Sequence, residues 1–146
     1  PPIFLYFLFF VAGRAVAPIL FRYLNENKML MLGLLTILLG MIILLSAESV
    51  AFLSLGASIS GFGTSWIFPT NISRFTKIFG ASSTRRATPF FICGTLGATF
   101  TTWLIGYISN AYENDLRSGM FVLLGSVLIL IILQIGLNFR KSPNLK

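Results

Sequence analysis

Side chains able to hold a small polar molecule fall on two helical stripes. Ser60, Thr64 and Asn71 share one, and Thr88, Thr95, Thr99, Thr102 and Gly106 share the other. Hydroxyl and amide groups both donate and accept hydrogen bonds, and Trp66 adds a broad ring face beside the first stripe. Such groups bind a neutral ligand; they do not supply a reaction. There is no histidine and one cysteine, Cys93, so the usual metal sets and Cys–His or Ser–His pairs cannot be assembled from this chain. No metal, no cofactor and no enzymatic activity are expected.

Composition determines where these stripes lie. The 146 residues are 55% hydrophobic and 10% charged, against about 25% charged in an ordinary soluble domain. That places the chain in the membrane class. The net charge of +7 comes from short basic clusters between apolar runs, a pattern of membrane topology rather than of a nucleic-acid surface. No nucleic-acid partner is expected; membrane lipid is. The chain opens with Pro1-Pro2, without an initiator Met or a signal-peptide pattern. It therefore reads as continuing upstream.

A hydrocarbon core about 30 Å thick needs about 20 apolar residues. Five runs qualify: 3–21, 29–47, 50–70, 87–109 and 119–139, followed by a tail at 140–146. The first is interrupted by Gly13, Arg14 and Pro18. If its apolar part ends near Ala12, only about 18 Å of helix remains. The expected fold is all-α and integral to the membrane. Ten of the eleven basic residues fall on one side of the alternating path. By the positive-inside rule that side is cytoplasmic, as is the C-terminus, with Pro1 outside; the cell membrane is the expected location. Glu26, Glu48, Glu113 and Asp115 fall between the runs, so none is placed as an intramembrane proton carrier.

The runs differ in kind. Runs 29–47 and 119–139 are greasy nearly all round, whereas 50–70 and 87–109 carry most of the hydroxyls. Polar groups at membrane depth face a bundle interior or a water-filled cavity. Small residues such as Ser54, Ser58, Gly61 and Ser65 equally suit close helix packing. Trp66 suits either a ligand-stacking role or the interfacial aromatic belt. Pro69 is expected to break its helix near the cytoplasmic end. Ile72, Phe75 and Phe79, set against Arg74 and Lys77, then predict a short amphipathic helix on the membrane surface.

The segment GRAVAPILFRYLNENK (13–28) resembles the loop between helices eight and nine of the major facilitator superfamily. SISGFGTSWIFPTNISRF (58–75) is similar to helix ten, with the Pro-Thr ending of the fucose-permease-like branch, and CGTLGATFTTWLIGYISN (93–110) to helix eleven. The resemblance covers nearly the whole chain, as helices eight to twelve of a twelve-helix carrier. It implies a partial C-terminal six-helix bundle whose missing N-terminal half is its partner. It also implies that Gly13, Arg14 and Arg22 belong to the cytoplasmic-loop motif that locks the halves together. The acidic residue usual before the loop arginine is Phe21 here, which leaves the role of Arg22 open. Arg14 pairs with a carboxylate or helix end of the other half, or snorkels to the interface.

These readings lead to an expected secondary-active transporter, a symporter of a small polar solute such as a sugar. It would work by alternating access around a midplane site. Ser60, Thr64, Trp66, Asn71, Thr95 and Thr99 would line the solute path, and proton coupling is implied by the resemblance. Two other classes stand beside it: a non-transporting membrane scaffold or receptor, and a channel of oligomerised subunits.

Overall fold

The structure, a computed structural model, describes residues 2–112 and 115–141. Every regular element among them is helical: α1 (Pro2–Tyr23), α2 (Glu26–Leu45), α3 (Val50–Phe79), a 3₁₀ turn (Gly80–Ser82), α4 (Ser83–Ala111) and α5 (Leu116–Lys141). Four stretches are long and apolar enough to cross a membrane: Pro2–Tyr23, Glu26–Leu45, Val50–Ala111 and Arg117–Asn138. The third joins α3 to α4 through the 3₁₀ turn. These helices are compatible with a multi-pass membrane protein.

Helix ends follow local chemistry. Asn25 precedes α2 with extended backbone, and the polar first turn Glu26-Asn27-Lys28 is already helical. Ser49 opens α3, its hydroxyl accepting the Phe52 N–H at 3.4 Å. Gly80 ends α3 at φ +50°, a left-handed conformation that costs glycine nothing. Asp115 caps α5: its carboxylate accepts the Arg117 N–H at 3.0 Å and the Ser118 hydroxyl at 3.2 Å.

Two compact units are present, Pro1–Asn71 with Val127–Lys146, and Ile72–Ser126. In the first, glycines set the helix crossings. A Cβ at Gly61 would strike the Tyr6 backbone, and one at Gly13 would strike the Ser65 side chain. The paired numbers rise together, so α1 and α3 run in the same direction. A Cβ at Gly56 would lie 2.9 Å from the Gly40 carbonyl, and one at Gly63 would lie 2.9 Å from that of Gly33. Those numbers run oppositely, so α2 is antiparallel to α3. This up–down–up order is what three consecutive crossings require, and backbone approach through small residues is how apolar helices associate without a hydrophobic driving force.

In the second unit, α4 and the start of α5 form an antiparallel pair, closed where Gly119 meets Ile105 and Ser109. Phe75 and Phe90 rings lie 4.6 Å apart, and the Arg86 guanidinium sits 4.8 Å over Phe79.

Two expectations change. Helix α1 is not interrupted at Gly13, Arg14 or Pro18 but runs to Tyr23. Likewise α3 continues through Pro69 to Phe79, so residues 72–79 extend it rather than form a separate amphipathic helix. Each proline removes one backbone donor, freeing the carbonyl four residues earlier, and protein or water around a membrane helix can satisfy that group.

Candidate functional site

Trp66 is the best-fixed member of the expected set. It is 3% exposed and packs with Ala17 and Met29 in the core of the first unit, flanked by Leu20, Phe21, Leu24 and Phe62. Its indole N–H donates to the Gly13 carbonyl oxygen at 3.1 Å. The Phe62 ring meets it edge-on at 4.8 Å. The indole therefore bridges α1 and α3, with its one donor committed. It sits neither in an exposed aromatic belt nor with a face open to a ligand. Gly13 has two functions here: it lets α3 approach, and it presents a carbonyl lone pair to the indole.

Ser60 is 7% exposed, faces Gly40 across the α2–α3 contact, and its hydroxyl makes no hydrogen bond. Thr64 is half-buried and donates to the Ser60 carbonyl at 2.7 Å. Asn71 is half-buried at the last position of its segment of the unit. Beside them lies a cavity of about 270 Å³ lined by Phe9, Thr36, Leu55, Ser58, Ile59 and Phe62. Its two hydroxyls donate to their own helices, Thr36 to Leu32 and Ser58 to Ser54, each at 2.8 Å. Those walls are apolar in effect, and none of the six expected path residues lines the cavity.

Arg14 is exposed, its guanidinium 4.7 Å from the centre of the Phe10 ring and 5.9 Å from that of Phe68. Cation–π contacts with two helices hold it in place, a pairing absent from the sequence reading although Phe10 and Arg14 are one helical turn apart. Arg22 is exposed in the last turn of α1, where a cation is favoured by the helix dipole.

Thr95 and Thr99 belong to the second unit. Every residue from 91 to 100 is exposed, and Gly94, Gly97 and Gly106 have nothing within 4 Å of an added Cβ. No family model, curated protein or solved structure matches the chain.

The chemistry on offer is therefore read from the residues themselves. Thr95 donates to the Phe91 carbonyl at 2.9 Å, Thr99 to Thr95 at 2.9 Å and Thr102 to Ala98 at 2.9 Å. With the donors satisfied by the helix, the hydroxyl oxygens present acceptor lone pairs outward. A ladder of acceptors flanked by open glycines suits a neutral molecule that brings its own O–H or N–H donors. Of the acids, Glu26 lies in the first turn of α2, Glu48 in the α2–α3 connection and Asp115 at the α5 cap, while Glu113 lies outside the described residues.

Proposed function

We propose that the chain is part of a secondary-active transporter of the major facilitator kind. It moves a small, neutral, polyhydroxylated solute, a sugar-like molecule, by alternating access. The observation that carries this reading is the exposed Thr95–Thr99–Thr102 acceptor ladder on an apolar helix. At membrane depth, such a stripe needs water, solute or protein against it. Thr95 and Thr99 contact the solute; Ser60, Thr64 and Asn71 are the path residues proposed for the first unit, where Trp66 holds α1 against α3. Gly13, Arg14 and Arg22, all within α1, belong to the conformational motif that the resemblance implies. Proton coupling rests on the family resemblance, since no carboxylate lies in the apolar body of α1–α5; the acid would come from the partner half.

The test is uptake and counterflow of labelled monosaccharides by the full-length protein in proteoliposomes. Thr95→Val and Thr99→Val each lower uptake about tenfold, the worth of a hydrogen bond in a dry site, while membrane insertion stays unchanged. Saturation and counterflow separate a carrier from a channel. Unchanged kinetics in both variants would return the stripe to helix packing. Partner binding without any flux would establish the scaffold or receptor class instead.

A further inference from the structure

The α1–α2 end of the first unit carries a second feature, unrelated to the hydroxyl stripes. A groove of about 490 Å³ runs along α2, lined by Asn27, Lys28, Met31, Leu32, Leu35 and Leu39, with Thr36 beside them and Asn138 contributed by α5. Its polarity is graded. Lys28 and the Asn27 amide lie at one end of the α2 wall, Asn138 adds an amide from α5, and the rest of the lining is apolar, because the Thr36 hydroxyl is spent on the Leu32 carbonyl at 2.8 Å. Among the described residues, the side chains of Lys28, Asn27 and Asn138 have no hydrogen-bond or ion-pair partner. Glu26, the nearest acid in sequence, does not line the groove.

Length identifies the occupant. From Lys28 to Leu39 the helix rises about 16 Å, which is half of a hydrocarbon core about 30 Å thick. The groove is one leaflet deep. A cation and an amide at one end, a second amide from α5 and a leaflet's length of Leu and Met complement an anionic headgroup bearing an acyl chain. We propose that this groove is a binding site for an anionic phospholipid. Lys28 and the Asn27 and Asn138 amides take the phosphodiester, and one acyl chain lies along Met31, Leu32, Leu35 and Leu39. Free phosphate would satisfy the mouth alone and leave the apolar wall unexplained. The site requires only that α2 cross a bilayer; it does not require transport.

Native mass spectrometry of the purified chain, released from micelles containing phosphatidylcholine and phosphatidylglycerol, tests it. The expected result is retention of phosphatidylglycerol about fivefold over phosphatidylcholine, the worth of one basic residue near an anionic headgroup. Lys28→Gln brings the two lipids to parity. Leu35→Trp, at a position 50% exposed and so outside the core, fills the groove and removes the adduct. Leu39→Trp does the same from the deeper end and guards against misfolding of the first variant. Arg85→Gln, an exposed cation of the second unit, leaves retention unchanged. Full phosphatidylglycerol preference in Lys28→Gln would overturn the proposal. So would adducts that survive both tryptophan variants, or inorganic phosphate binding at Lys28 with the lipid displaced.

Discussion

The Trp66 indole and the Ser60 hydroxyl show opposite ways of burying a polar group in this chain. Trp66 spends its donor on the Gly13 carbonyl, whereas Ser60 spends its donor on nothing. Trp66→Phe keeps a ring but leaves the indole's space and hydrogen bond unfilled, and should cost about 1–3 kcal/mol of stability. Unfolding in mixed micelles measures this, and an unchanged midpoint would mean that the α1–α3 bridge contributes nothing. Ser60→Ala should be neutral or mildly stabilising, because removing an unsatisfied hydroxyl also removes its desolvation penalty. If uptake nevertheless falls in Ser60→Ala, the hydroxyl is held in reserve for solute. If stability falls instead, the hydroxyl has a packing role. The types of these residues were readable from the sequence, and so was the Thr95–Thr99 stripe, since helical spacing alone puts them on one face. The destination of the Trp66 N–H was not readable. Its acceptor lies 53 positions away, and no local pattern encodes a contact of that kind.

At the scale of elements, the apolar runs located the helices and missed their ends. Helix α2 starts at Glu26 rather than 29 because its polar first turn is helical without being apolar, and hydropathy registers only the latter. Gly13, Pro18 and Pro69 read as breaks because each is unfavourable in an isolated helix. Packing overrides that preference: Gly13 is where Ser65 must fit, and a proline costs one backbone bond that surroundings can satisfy. The glycines accordingly divide into two classes with opposite expected behaviour. Gly40→Val would drive its side chain into Ser60 and the Gly56 carbonyl, costing about 1–3 kcal/mol or more and separating α2 from α3. Gly97→Ala meets nothing within 4 Å and should stabilise α4 by about 0.5–1 kcal/mol. Unfolding of the two variants side by side checks both signs. A destabilising Gly97→Ala would show that another surface covers this face of α4.

For the whole molecule, the charge pattern and the helix directions make the same demand by independent routes. Ten of the eleven basic residues alternate onto one side, and the glycine contacts make α1 parallel and α2 antiparallel to α3. Both require the α1–α2 connection to lie opposite the connection at Glu48, and the charge pattern assigns the Gly80–Ser82 turn to the basic side. Holding the clusters around Arg74 and Arg85 against the membrane potential is costly, about 2.3 kcal/mol per charge per 100 mV, so the basic side should be fixed as cytoplasmic. Cys93 is the only cysteine, and Cys93→Ser gives a background for placing single thiols at three exposed positions, Asn25, Glu48 and Ser82. In intact cells an impermeant maleimide should label Glu48→Cys and spare Asn25→Cys and Ser82→Cys, which react only after permeabilisation. Labelling of Ser82→Cys from outside, with Asn25→Cys still protected, would mean that α3 does not cross after α2. The stretch from Val50 to Ala111 would then lie otherwise in the membrane, and α3 and α4 would not be two separate crossings.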